Sequence, residues 1–100
     1  MRLGTTPTHT FEVPFPVDTI EDVRIVYEQA GVEVLVKEKY DCEMAGNQIS
    51  VKLTQEETFL FDSKLSAKAQ VRVLTVNGDA LASDIIRFEI SRVLGEEVAL

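Results

Sequence analysis

Residues 67–92, AKAQVRVLTVNGDALASDIIRFEISR, contain the pattern that decides the fold. Two extended runs flank Asn77-Gly78, and Asn-Gly between alternating apolar residues is a strong hairpin signal. A type I′ turn requires positive φ at both central positions, which Asn and Gly tolerate. Ile85 breaks the alternation and predicts a bulge at residues 83–85. The residues predicted to face the core are Ala67, Ala69, Val71 and Val73 in the first arm and Ile86, Phe88 and Ile90 in the second.

Shorter alternating segments precede this hairpin and predict further strands at residues 8–13, 23–28, 32–39 and 49–54. The first is interrupted by Pro14-Phe15-Pro16, and because proline cannot donate to a ladder, this strand is expected at a sheet edge. Turns are predicted at residues 29–31 and 45–48. In the third segment the alternation predicts Val32, Val34 and Val36 inward and Glu33, Leu35 and Lys37 outward.

The alternation of apolar and polar residues ends after the fourth segment. Thr54 and Glu57 have the spacing of a capping box, in which each side chain accepts a hydrogen bond from the other residue's backbone. A short helix is therefore predicted over residues 55–61. Leu60 and Phe61 are expected to plug one open end of the sheets.

Strands at this spacing, separated by turn signals, predict an all-β domain. The expected fold is a two-layer antiparallel immunoglobulin-like β-sandwich of six to seven strands with one short helical turn, and a small closed barrel is the alternative. Without Trp and with one Cys, it is not an antibody-type domain. Residues 1–100 are interpreted as a single domain, with residues 1–6 and 95–100 as loosely ordered tails.

The negative net charge of the chain narrows the classes of molecule that it is expected to bind. A net charge of −7 disfavours nucleic acid and anionic lipid, since both need a basic footprint. No apolar run reaches the roughly 18 residues that a membrane-spanning helix requires, so no membrane insertion is expected. The first residues contain no apolar segment typical of a signal peptide.

Residues that could carry chemistry are few. His9 is the single histidine, without a ligand-spaced partner, and Cys42 lies between Asp41 and Glu43, which predicts an inert thiol. Asp18, Glu21 and Asp22 form the one acidic cluster considered for calcium, and they lack the EF-hand pattern. We therefore predict no catalytic, metal-binding or cofactor-binding residue, no cofactor and no enzymatic activity.

Four stretches together resemble known proteins: residues 6–11 (TPTHTF), 53–58 (LTQEET), 71–74 (VRVL) and 80–86 (ALASDII). They are similar to small proteins encoded in phage and prophage tail regions of Gram-positive bacteria. The overall plan, from Thr6 to about Val93, also resembles the N-terminal β-sandwich module of phage baseplate upper proteins. No functional residue transfers through this resemblance, because the matching stretches mark strands and turns.

The resemblance implies a structural or adaptor protein of a phage or prophage tail or baseplate, acting through protein–protein contacts. Its expected partners are other virion or tail proteins or further copies of itself, with no small-molecule substrate identified. The expected location is the virion, or the host cytoplasm during assembly. The alternative is a carbohydrate-binding or cell-surface-binding module, which requires an exposed aromatic ring. The aromatic residues to test for exposure are Phe15, Tyr27, Tyr40 and Phe59.

Overall fold

The computed structural model describes residues 1–96, and the last four residues of the predicted C-terminal tail lie outside that range. No helix in the described part is long and apolar enough to cross a bilayer. The described strands are β1 (Thr8–Glu12), β2 (Ile20–Gln29), β3 (Val32–Glu38), β4 (Cys42–Ala45), β5 (Gln48–Lys52), β6 (Ala67–Thr75), β7 (Ala80–Ala82) and β8 (Ile86–Phe88). Between them lie helix α1 (Gln55–Thr58) and two 3₁₀ turns, Val17–Thr19 and Lys39–Asp41.

The strands form two antiparallel sheets, which confirms the predicted two-layer sandwich. The smaller sheet has the order β1-β5-β4. The larger has the order β3-β2-β6, and β7 and β8 pair one after the other along the free side of β6. Immunoglobulin domains order their strands A-B-E-D in one sheet and G-F-C, extended by C′ in variable domains, in the other. The described strands match B-E-D and C′-C-F-G.

Alternating side chains from the two inner faces form the core. Phe11, Ile49 and Val51 come from the smaller sheet, and Ile25 and Tyr27 from the larger. All are almost completely shielded from solvent. The inward residues predicted for the first arm of the hairpin are confirmed as buried: Ala67, Ala69, Val71 and Val73. Apolar burial at these positions stabilises the sandwich, because it removes the most hydrophobic strand faces from water.

The hairpin between β6 and β7 is confirmed, but its turn is not type I′. Gly78 has a φ of +87°, whereas Asn77 does not have a positive φ. The amide of Gly78 donates to the carbonyl of Thr75 (3.0 Å), and that of Thr75 donates to the carbonyl of Asp79 (2.9 Å). This pattern is typical of a three-residue loop that ends in a left-handed glycine. Two consecutive positive φ values occur instead between β2 and β3, at Ala30 (50°) and Gly31 (78°).

Gly78→Val should lower the free energy of unfolding by about 1–2 kcal/mol, because a β-branched residue is strongly disfavoured at positive φ. Open space surrounds the position where a Cβ would be added, so the loss comes from the backbone and not from a clash. Urea denaturation measures the change. Gly78→Asn is the control and should lose less, since Asn tolerates the left-handed region. An unchanged stability of Gly78→Val would contradict the turn assignment.

The predicted bulge at residues 83–85 is confirmed. Ala82 lies opposite Arg72 and Ile86 opposite Ala69, so three residues on the return arm face two on β6. Ser83 organises the irregularity: its Oγ accepts from the amide of Val71 (3.0 Å) in place of a backbone carbonyl. The extra residue restores the inward direction of Phe88, which lies opposite Ala67.

The predicted faces of β3 are wrong from Leu35 onwards, although Val34 packs against the core as predicted. Lys37 lies opposite Ile25 and Leu35 opposite Tyr27, and cross-strand partners share a face, so Leu35 and Lys37 point to the core side. The pairing of β2 with β3 shifts register between Tyr27 and Glu28. The inside–outside alternation that starts at Val32 therefore does not continue into the later residues of β3. Val32 is exposed, and Lys37 is buried. Strict alternation from Val32 cannot anticipate a register that the partner strand imposes.

Three further expectations are corrected. Phe61 is buried as predicted, but Leu60 is exposed because the helix ends at Thr58 and the chain turns before it. The expectation of a loose segment at residues 1–6 does not fit Leu3, which is buried and whose amide donates to the carbonyl of Ser91 (2.9 Å). Gln29, placed in a turn by its sequence context, is a buried residue at the end of β2.

Candidate protein-interaction surface

Within residues 1–96, one side of the sandwich leaves two strand edges without partners. The first is β1, which pairs with β5 alone. The amide of Leu53 bonds to the carbonyl of Pro7 and that of Val13 to the carbonyl of Asn47. Hydrogen-bonded pairs alternate along an antiparallel ladder, so His9 and Phe11 direct their backbone groups to β5. The backbone N–H and C=O groups of Thr8, Thr10 and Glu12 therefore point away from the sheet.

The second free edge belongs to β7. Asp79 and Ser83 bond to the backbone of β6 at Thr75 and Val71. By the same alternation, Ala80 and Ala82 direct their backbone groups away from the sheet. All three residues of β7 are exposed and uncharged. An uncovered, uncharged edge of this kind is a template for pairing with another strand.

A groove runs between these two edges, and we call it the open side. Its wider part has a volume of about 550 Å³ and its narrower part about 290 Å³, and both are lined by Thr10, Phe11 and Ile86. Phe88 adds an apolar surface in the narrower part. Ile86 keeps 43% of its surface exposed although it points towards the core side. The open side thus combines an apolar floor with unpaired backbone groups at both rims.

The opposite side of the sandwich is closed by the chain itself. The 3₁₀ turn Lys39–Asp41 joins β3 of the larger sheet directly to β4 of the smaller one. Glu38 and Asp41 form a reciprocal capping box around this turn. Lys39 Nζ donates to the carbonyl of Glu21 (3.0 Å), which ties the turn to β2. The two sides therefore differ in what they offer a partner.

His9 lies at the narrow part of the open side, where its ring packs beside two aromatic side chains. Its Nδ1 is 2.6 Å from the hydroxyl oxygen of Tyr27, and its ring packs against Phe88 with centroids 5.5 Å apart. Burial, followed by the charge of the chain's N-terminal amine, lowers the pKa of His9 below its ordinary value. Burial also raises the pKa of Tyr27, so the hydroxyl keeps its proton. The pair is a structural hydrogen bond between a neutral imidazole and a phenol.

The stability of the fold should fall as the pH drops from about 7.5 to about 5.5. Because folding lowers the pKa of His9, the folded state disfavours the protonated ring. This contribution is complete above the unfolded pKa near 6.5 and is lost as the pH falls through the folded value. Urea midpoints at the two pH values measure it. His9→Gln should abolish most of the difference, and an equal pH effect in that variant would contradict the assignment.

The other candidate residues are not assembled into a reactive site. Burial, and next the charge of Asp41, raises the pKa of the Cys42 thiol, so the reactive thiolate is disfavoured at neutral pH. Cys42 Sγ donates to the carbonyl of Glu38 (3.3 Å). Asp18, Glu21 and Asp22, the acidic residues that the sequence suggested for calcium, do not form a metal-binding group. In the described part, no group of three or more His, Cys, Asp or Glu residues is placed to hold a metal. Asp22 instead accepts from the amide of Val23.

The tested aromatic residues differ in exposure. Tyr27 is fully buried, and Phe15 and Phe59 are half-buried against the core. Tyr40 is 86% exposed on the 3₁₀ turn between β3 and β4. The outer residues of the hairpin have mixed charge and partial or full exposure, as the sequence predicts: Lys68, Gln70, Arg72, Arg87 and Glu89.

Sequence reasoning identified β1 as an edge strand but missed the open side. The available signal was residues 80–82, Ala-Leu-Ala, a short uncharged strand without the lysine or proline that commonly protects an edge. What the sequence cannot show is that this edge faces β1 across the sandwich. That placement depends on pairing between residues far apart in the chain.

No protein-family model and no curated protein matches the chain. A solved structure, the V domain of amphioxus IgVJ-C2, is similar at 12% identity with a TM-score of 0.39. The alignment covers 93% of this chain and 97% of that chain. The immunoglobulin-like arrangement follows from the order and pairing of this chain's own strands.

Proposed function

We propose that this chain is a structural or adaptor protein that acts through protein–protein contacts in a phage or prophage tail or baseplate. The observation that carries this proposal is the open side, where unpaired edges of β1 and β7 flank an apolar groove. A surface with these properties suits strand pairing with another polypeptide. The placement in a tail or baseplate rests on the sequence resemblance alone.

The unequal protection of the two edges supports an interaction role. β1 has the exposed Glu12 and is followed by Pro14, and both features discourage indiscriminate pairing. β7 has neither, and exposed Leu74, Leu81 and Ile86 lie on or beside it. An uncharged edge beside exposed apolar side chains suits a component of an assembly, which covers it with a partner.

The experiment is co-purification of the tagged chain with phage or prophage tail proteins produced in the same cells. Light scattering of the isolated chain at rising concentration runs in parallel. The proposal expects either a stable complex with a tail protein or a defined oligomer. A strictly monomeric chain that recovers no tail protein would overturn it. A variant with Ile86→Asp serves as the control, because a charge in the groove should weaken a contact made there.

Carbohydrate binding is the second candidate, and exposed Tyr40 favours it. Sugars stack on exposed aromatic rings, and the polar residues Lys39 and Asp41 flank this ring in the chain. A glycan array probed with the chain and with Tyr40→Ala tests the idea. Binding that Tyr40→Ala abolishes would support this function. Absence of binding to any glycan would exclude it for the glycans presented.

A further inference from the structure

We infer that the open side is an acceptor site for an extended strand of another polypeptide, which occupies the strand position next to β1 that no strand of residues 1–96 fills. This inference rests on the proposed function and specifies the partner by its chemistry. The partner segment is extended, has apolar residues at alternating positions, and carries Lys or Arg near the wide part of the groove.

The strand order locates the vacancy. In the immunoglobulin arrangement, strand A borders strand B at the edge of the A-B-E-D sheet. Here β1 corresponds to B, and within residues 1–96 no strand pairs with its outer edge. The N-terminal residues do not fill this position. Arg2 instead forms a parallel bridge with Ser91, beyond the end of β8, which leaves β1 uncovered.

The backbone of β1 fixes how a strand would bind. The outward groups of Thr8, Thr10 and Glu12 supply alternate donors and acceptors over the five residues of β1. At about 3.3 Å per residue, a partner segment of roughly five to seven residues spans this edge. Main-chain hydrogen bonds of this kind give affinity, and pockets for alternate side chains give specificity.

The floor of the groove fixes the partner's inward side chains. A strand added to β1 continues the smaller sheet, so its inward residues lie above Ile86 and Phe88 of the larger sheet. Ile86 retains a large exposed fraction, which an apolar side chain would cover. Every second residue of the partner segment is therefore apolar.

Charge identifies a basic partner in preference to a second copy. The charged residues that line the wide part are Glu12 and Asp84, and both are acidic. A second copy would bring the same acidic surface and a further net charge of −7. A Lys or Arg in the incoming strand would instead pair with these carboxylates, since complementary charges raise the rate and specificity of association.

The test uses the full chain labelled with ¹⁵N and three synthetic peptides of about nine residues. In the first peptide, valine alternates with threonine and lysine. The second has glutamate in place of lysine, and the third carries N-methyl groups on alternate backbone nitrogens. NMR titration should localise the first peptide to β1 and the groove, with at least about tenfold slower exchange at the amides of Thr8, Thr10 and Glu12. The glutamate peptide should bind at least about tenfold more weakly, and the N-methylated peptide should not bind.

Two variants isolate the edge. Thr10→Pro removes an outward N–H and obstructs the edge without removing a backbone hydrogen bond to β5, and proline is tolerated at this kind of position. It should weaken binding of the first peptide at least about tenfold. Thr10→Val loses the same hydroxyl, which bonds to Ser50 in the native chain, but keeps the N–H, and should bind within about twofold of the native chain. Circular dichroism and thermal unfolding confirm that each variant is folded.

The outcomes separate this inference from the proposed function. Peptide binding elsewhere, equal binding of the lysine and glutamate peptides, or insensitivity to Thr10→Pro would overturn the acceptor site. So would a dimer formed by pairing of two β1 edges. If the tail-protein complex nevertheless forms with Thr10→Pro, the assembly function holds and its contact lies on another surface. If no tail protein binds but the lysine peptide does, the acceptor site holds and the phage setting is wrong.

Discussion

Glu57→Gln is expected to lower the free energy of unfolding by about 3 kcal/mol, because it leaves a buried lysine without its counter-ion. Lys37 Nζ lies 2.5 Å from Glu57 Oε2, and the lysine side chain is almost fully buried on the inner face of β3. Glu57 also accepts from the amide of Thr54 (2.9 Å) in the capping box of α1. Glutamine preserves that capping bond, since Gln also serves at this position of the motif.

Lys37→Met should lose only about 1 kcal/mol, which makes the pair asymmetric. Methionine keeps the apolar stem of the lysine, and the remaining Glu57 carboxylate is less buried and still bonded to Thr54. The double variant should be about as stable as Lys37→Met alone, because no unpaired cation remains. Urea denaturation of the four proteins measures the cycle. Equal losses in the two single variants, adding up in the double, would show that the pair contributes no coupling.

The same ion pair makes the free energy of unfolding depend on pH in the acidic range. Burial alone would raise the pKa of Glu57, but the hydrogen bond and charge of Lys37, together with the Thr54 bonds, lower it below its ordinary value. The stabilisation is therefore complete above about pH 4.5 and is lost as the pH falls through the lower folded value. Glu57→Gln should lack this part of the acid dependence.

Local patterns were sufficient to predict much of this fold. Alternation predicted strands where β2, β5 and β6 form and also the inward face of β6, because each of these strands has apolar residues on one face and a partner on both sides. The Thr54–Glu57 spacing predicted the helix cap, which needs only neighbours in the chain. The break at Ile85 predicted the bulge, since Ile86 and Phe88 are out of phase with Leu81 and share its face only if the strand gains one residue.

The errors occurred where distant residues decide the structure. The face of β3 depends on its register with β2, and Lys37 is tolerated inside only because α1 presents Glu57 to it. The open side depends on the relative position of two edges, β1 and β7, that are separated by most of the chain. Neither pairing leaves a local signal in the sequence. The sequence therefore predicted an interaction module without the surface through which it would act.

Gln29→Leu is expected to lower the free energy of unfolding by about 3 kcal/mol, because it removes three hydrogen bonds at a buried position. Its Nε2 donates to the carbonyls of Asp62 (2.8 Å) and Leu65 (2.9 Å), and its Oε1 accepts from the amide of Asp62 (2.8 Å). This one side chain thus anchors the loop that leads from α1 to β6 at two points, Asp62 and Leu65. Leucine has a similar volume, so the loss reflects unsatisfied polar groups and not a cavity.

Gln70→Leu provides the matched control, since Gln70 donates a single bond, to the carbonyl of Ser83 (2.9 Å), from a less buried position. Its expected loss is about 1 kcal/mol. Hydrogen exchange gives a local measurement: the amide of Asp62 should exchange faster in Gln29→Leu and unchanged in Gln70→Leu. Equal losses in the two variants, or a protected Asp62 amide in Gln29→Leu, would contradict this role. The loop that Gln29 anchors leads to Ala67, the first residue of the central strand β6. Its anchoring therefore helps to place the strand on which both β7 and β8 pair.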